Sequence, residues 1–382
     1  MKAMNRYLRT SLAAGLLLSS NVGAKTLLYI GGWPHQLMAV DESTYQVVKR
    51  IEMKTDVPRN LVLSNDRSKL VVLTLKDTGI ETVDLAKQEV VDSFTLGSRT
   101  DSFSVSGIAL DPTGKLLYAQ ITEAKKLIDR FEIGKPSFAV IDLTQRKIVK
   151  TVELPPADPS EAGGGGRGGS LCVSPDGKFL YQFGAKISIF DTSTLKKVQT
   201  IDLSKPEFPN MEAVTFAPEM EPSDDPNVLT GSFHTEDPVV HRRIYGIATF
   251  HLNERKFDFK PIGPATDGIS NVRFTADHKK AYVVTIEGTH GDRHCEFWSI
   301  DAPTSKITKR QEFACRPRFS FTTSTAADKL YIYSAGFELE VYDAATMQLE
   351  KTLSLDADVT TPMVAVTASS SGSSVAGSGG AR

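Results

Sequence analysis

One pattern, repeated along most of the chain, constrains this sequence more than any other feature. Residues 170–203 read SLCVSPDGKFLYQFGAKISIFDTSTLKKVQTIDL, the plainest copy. Related copies begin LVLSNDRSKLVVLT and continue GIETVDLAKQEVVDSFTL; another begins GIALDPTGKLLYAQ and, after an insert, ends SFAVIDLTQRKIVKTVEL. A degenerate copy runs AVTFAPE to VLTGSF and then YGIATFHLNERKFDFKPI, and two more follow as NVRFTADHKKAYVVT with CEFWSIDAPTSKITKRQEF and FSFTTSTAADKLYIYS with ELEVYDAATMQLEKTL. Each holds an apolar run, a Pro/Asp/Gly-type turn, a Leu/Tyr/Val-rich strand, a third strand closing on Asp or a neighbour, and an alternating fourth strand. Period-2 patterning with hairpin turn residues predicts four-stranded antiparallel meanders.

Six complete units are visible. The segment LLYIGG through LMAVDESTYQVVKRIEM supplies only the last three strands of a seventh, and the missing inner strand is expected at 362–366. Residues 25–366 make 342 residues, about 49 per unit over seven units. The expected fold is therefore all-β: a seven-bladed β-propeller of four-stranded blades, its ring closed by pairing N- and C-terminal strands. Two separate sandwiches would not need a truncated first unit.

The flanks read differently. Lys2, Arg6 and Arg9, the apolar run 12–20 and the small residues Val22-Gly23-Ala24 form a secretory signal peptide over 1–24, too short in its apolar part to span a bilayer. Export to the periplasm is the expectation. Residues 367–382, TASSSGSSVAGSGGAR, read as a disordered Ser/Gly-rich tail. Setting aside the three leader cations lowers Lys+Arg from 44 to 41 against 46 Asp+Glu, a formal net charge of −5. No basic excess drives nucleic-acid binding, and no later apolar run is long enough for a membrane span.

The turn Pro175-Asp176-Gly177-Lys178, followed by an apolar strand and an Asp-x-x-Thr strand end, resembles the YVTN-type bacterial propeller repeat. Three places resemble, more specifically, the β subunit of quinohemoprotein amine dehydrogenase. They are GIALDPTGKLLYAQ with its insert ITEAKKLIDRFEIGKPSFAVIDLTQRK, SFHTEDPVVHRRIYGIATFHLNERKF, and FELEVYDAATMQLEKTLSLDADVTTPMVAV. The resemblance implies a periplasmic propeller with no cofactor of its own. Its expected partners are a dihaem cytochrome carrying haem c and a small subunit bearing a tryptophan-derived quinone, in a complex that oxidises primary amines. It implies no catalytic residue on this chain. The alternative is a stand-alone exported propeller that binds a cell-envelope protein or small ligand. A propeller hydrolase would need a coherent metal shell in the channel, and no set of inner-strand Glu, Asn and Asp is assignable to one.

Propeller topology predicts two faces. Turns joining strands one to two and three to four emerge on one; connections joining strands two to three, and blade to blade, emerge on the other. The second face carries the long connections 32–36, 121–136, 155–169, 232–243 and 287–294, and is the candidate binding surface. Interface candidates there are Trp33, His35, Arg130, Phe131, Arg167, His234, His241, His290 and His294. His290, Asp292 and His294 offer two imidazoles and a carboxylate to one ion, as do His234 and His241 with Glu236 and Asp237. Neither set has a strong metal spacing, so the simpler reading is loop histidines that are solvated or hydrogen-bonded. The run 163–169, GGGGRGG, lacks the Gly-Lys-Ser/Thr ending of a phosphate loop. Cys295 and Cys315 flank a predicted hairpin and are placed for a disulfide, whereas Cys172 alternates with apolar neighbours as a buried free thiol. No Cys-x-x-Cys-His for haem attachment occurs.

Overall fold

In the computed structural model the described residues are 25–154, 170–204, 212–218, 225–237, 239, 241–264, 266–316, 318–333 and 336–367. The expected leader, the run 155–169 with Arg167, and residues 368–382 lie outside them. Among the described residues the strands form seven antiparallel sheets. Blade 1 is Val364–Thr367, Thr26–Gly32, Gln36–Asp41 and Gln46–Glu52; blade 2 is Pro58–Leu63, Lys69–Thr74, Gly79–Asp84 and Glu89–Thr95. Blade 4 is Leu171–Val173, Phe179–Gln182, Lys186–Asp191 and Lys197–Asp202. Blade 5 is Thr215–Pro218, Val228–Glu236, Arg243–His251 and Lys256–Pro264. In blade 6 the inner strand is split, Gly268–Ile269 and Arg273–Phe274, before Lys280–Glu287, His294–Asp301 and Lys306–Phe313. Blade 7 is Ser320–Thr323, Lys329–Tyr333, Glu338–Asp343 and Leu349–Ser354.

Closure occurs in blade 1. Leu27 stands opposite Val366 and Leu28 opposite Ala365, so the last described strand completes the first blade. It begins two residues later than expected and includes Thr367. The core confirms a closed ring. Seven apolar clusters each straddle two neighbouring blades, and the one containing Leu28, Ile30, Tyr331 and Val341 joins blade 7 back to blade 1. Fully burying side chains of this size stabilises by about 1.5–3 kcal/mol each, so each blade is held mainly by its neighbours.

The repeated Asp is architectural. Asp41, Asp84, Asp142, Asp191, Asp301 and Asp343 end third strands, and each carboxylate accepts a backbone N–H two or three residues on. Four residues after the third-strand end, every blade places a residue in the left-handed region: Tyr45, Gln88, Arg146, Leu195, Arg255, Ser305 and Met347, at φ 55–59°. Only blade 5 replaces the Asp, with His251. The Asp side chain mimics a turn and compensates for a conformation that non-glycine residues adopt at a cost.

Blade 3 corrects the sequence reading. Residues 121–136 were expected to be a loop, yet most are strand. Asp101–Leu110 and Leu116–Lys126 run on past the ring, and Phe131–Ile133 pairs with the end of the latter before Ser137–Asp142 and Lys147–Glu153 complete the blade. The result is a three-stranded arm rising on the long-loop face. Half of the 232–243 connection is likewise strand, Ser232 to Glu236 and Arg243.

Candidate interaction face

Exposed apolar side chains separate the two faces. Val48, Val91, Val149, Val198 and Leu349 lie on fourth strands, at the rim. The remaining large exposed apolar residues among those described are Trp33, Leu75, Leu127, Ile128, Phe131, Ile133, Val239 and Phe337. All eight sit in connections between second and third strands, in blades 1, 2, 3, 5 and 7. The turn face instead buries its apolar residues: Leu85, Leu143, Leu195, Ala327 and Met347 tuck under their hairpins. Single exposed apolar residues are ordinary, but these share one face of the ring.

Trp33 is 56% exposed, its backbone N–H donates to the Asp358 carbonyl at 2.8 Å, and the His35 ring lies 6.5 Å from its own. His35 Nδ1 lies 3.5 Å from Asp56. Arg130 is held by Asp129 and Glu132, at 3.2 and 3.0 Å, beside the exposed Phe131. Sequence reasoning had selected Trp33 and Phe131 but not Leu75, Leu127, Ile128, Ile133, Val239 or Phe337. For the arm the available signal was the apolar–polar alternation in Phe131-Glu132-Ile133.

The histidines are not gathered into a metal shell: among the described residues no group of three or more His, Cys, Asp or Glu is placed to hold an ion. His294 Nδ1 meets Glu312 at 3.2 Å and His241 Nδ1 meets Glu236 at 3.5 Å, both exposed. His290 and Asp292 bound a single 3-10 turn. His234 is different. It faces Tyr245 across the ladder with ring centroids 5.9 Å apart, and its buried Nε2 and the Tyr245 hydroxyl have no hydrogen-bond partner. Burial, with Arg243 nearby, lowers the His234 pKa; burial pushes the Tyr245 phenol far above its ordinary value.

Cys295 and Cys315 are joined by a disulfide with Cα atoms 5.1 Å apart. Cys172 is a free thiol, half-buried rather than fully enclosed, and desolvation pushes it up to about 12. No helix among the described residues is long and apolar enough to cross a membrane.

This geometry defines the class: a seven-bladed propeller with one apolar, loop-rich face. No family model matches the sequence, and no curated protein matches it. Solved structures do resemble it. A protein of unknown function from Desulfotomaculum acetoxidans superimposes with TM-score 0.56 at 11% identity, covering 90% of this chain and 99% of its own. The dihydro-heme d1 dehydrogenase NirN, solved in complex with DHE, gives TM-score 0.51 at 15% identity over 89% of this chain and 75% of its own. A chain of Kuenenia stuttgartiensis hydrazine synthase gives only 0.49 at 14% identity, over 81% and 95% of the two chains. At these identities the likeness establishes the fold alone.

Proposed function

We propose that this protein is an exported, non-catalytic propeller subunit that binds a partner protein through its long-loop face. The observation that carries the reading is that, among the described residues, the eight exposed large apolar side chains outside the rim strands all lie on that face. Trp and Phe anchors of this kind contribute disproportionately to protein interfaces. The motif resemblance makes the reading more specific: a scaffold like the β subunit of quinohemoprotein amine dehydrogenase, in a periplasmic complex oxidising primary amines. Haem c and a tryptophan-derived quinone would then reside on partner subunits, with none on this chain.

The test is purification of the tagged protein from its native periplasm, with a haem spectrum and identification of co-purifying chains. A stoichiometric c-type cytochrome and a small quinone protein are expected. A homogeneous monomer without cytochrome would overturn the amine dehydrogenase reading.

A further inference from the structure

The arm of blade 3 has a free edge of unusual composition. Phe131–Ile133 is the terminal strand of its sheet, and among the described residues no fourth strand lies beside it. Lys147–Glu153 occupies that position lower down and stops where the Leu154 N–H meets the Pro136 carbonyl at 2.9 Å. Phe131 and Ile133 are 66% and 68% exposed.

The ladder fixes which groups the edge presents. The Leu127 N–H donates to the Arg130 carbonyl and the Gly134 N–H to the Glu123 carbonyl, each at 2.8 Å. Bonded pairs alternate along an antiparallel ladder, so Glu132 turns its N–H and C=O toward Lys125, while Phe131 and Ile133 turn theirs outward. An outward row of this kind is a template for another strand.

The side chains specify that strand. Across the arm, Asp101 stands opposite Lys125 and Lys125 opposite Glu132, an acid–base–acid row. The next position in the row calls for a base, because opposite charges in cross-strand pairs attract and like charges repel. By strand alternation Phe131 and Ile133 share the other side of the arm, calling for apolar neighbours. On the Glu132 side lies a cavity of about 420 Å³ with Phe103, Ile121 and Ile148 in its lining and Glu123, Lys135 and Glu153 around them. That lining suits the stem and charged head of a long basic side chain. The ion pair between Glu132 and Arg130 is exposed and cheap to exchange. A second copy of this chain fits poorly, since antiparallel pairing centred on the edge sets Glu132 against Glu132.

We propose that blade 3 takes up an extended segment of a partner protein as an added antiparallel strand along Phe131–Ile133, with Lys or Arg opposite Glu132 and apolar residues opposite Phe131 and Ile133. This rests on reading the loop face as a partner surface, and states where and how the partner is gripped. Strand addition of this type draws affinity from the main chain and specificity from alternate side chains.

The experiment titrates the full chain, labelled with 15N at Phe and Ile, with the peptides Ser-Thr-Val-Lys-Val-Thr-Ser and Ser-Thr-Val-Glu-Val-Thr-Ser. The Lys peptide is expected to shift the Phe131 and Ile133 amides and to bind at least roughly fivefold tighter than the Glu peptide. Glu132→Lys should reverse that preference. Ile133→Pro, which removes an outward N–H without taking a bond from the arm's own ladder, should abolish binding. Equal binding of the two peptides, no shift at the arm, or wild-type binding by Ile133→Pro would each overturn the proposal, as would concentration-dependent shifts without peptide, which indicate self-pairing. The titration needs no native partner. Its failure leaves the subunit reading intact, and a purification without cytochrome leaves strand addition intact.

Discussion

Glu81 and Glu340 occupy the same place in their blades, three residues before the Asp that ends the third strand, and each ties down the connection leading into its own blade. Glu81 is fully buried and accepts the N–H groups of Lys54 and Thr55, at 3.0 and 2.7 Å, and the Thr55 hydroxyl at 2.6 Å. Glu340 accepts from Arg316 at 2.5 Å and from the Tyr342 hydroxyl at 2.9 Å. Glu81→Gln swaps one acceptor oxygen for a donor facing other donors, so it should lower the unfolding free energy by about 1–3 kcal/mol. Glu340→Gln should cost less, because Arg316 keeps Glu338 at 2.6 Å. Urea denaturation of both variants checks the order.

Acid should weaken the fold in two steps. Asp142, Asp176, Asp191 and Asp343 titrate below the ordinary carboxylate range. The largest causes are hydrogen bonds from the Gln145 N–H, the Ser174 hydroxyl, the Ser193 hydroxyl and the Thr346 N–H respectively, and Asp176 falls to about 2. A carboxylate with a depressed folded pKa stabilises above its unfolded value, about 3.9, and that contribution is lost as pH falls through the folded value. The carboxylates therefore leave the thermal midpoint level from about pH 7 to 5 and lower it below about pH 4, while His234, its folded pKa depressed by burial, removes stability as pH falls below its unfolded value of about 6.5. A midpoint that stays unchanged between about pH 5 and pH 2 would contradict this.

The cysteines predict a thiol count. Unfolded without reductant, the protein should expose a single reactive thiol, Cys172, the other two being bonded. In the folded state that thiol should react slowly at about pH 8, because the thiolate is the nucleophile and burial disfavours it. Replacing Cys295 and Cys315 by Ser should cost about 3 kcal/mol, from the 20-residue sequence separation that the bond spans.

Trp33→Ala and Ile128→Ser should weaken partner binding by about 1–2 kcal/mol each while changing stability by under about 0.5 kcal/mol, since both side chains are exposed. Val198→Ser, on the rim, serves as the control and should leave binding unchanged. Calorimetric titration with the isolated partner measures all three, and equal losses at rim and face would refute the assignment of the face.

The ring was legible because its signals repeat: alternation, the turn Asp and the third-strand end recur in most units, and a truncated first unit demanded closure. The arm was not. Residues 121–136 are rich in charge, and the period-2 signal in Phe131-Glu132-Ile133 is only three residues long, so pairing with 124–126 shows only in register. The apolar face was hidden for another reason. Leu75, Val239 and Phe337 are unremarkable singly and become a surface only when the topology brings their connections to one end. The histidines were read as solvated or hydrogen-bonded loop residues, and among those described His35, His241 and His294 each lie beside a carboxylate.

Closure within blade 1 also settles how the molecule can be held. Thr26 and Thr367 stand opposite each other, their hydroxyls 3.1 Å apart, at the turn end of the blade. That end is opposite the one carrying Trp33 and the arm. A tether joined directly at Thr26 or Thr367 would therefore start on the side away from the long-loop face, so an immobilised copy can be offered partners with that face left open.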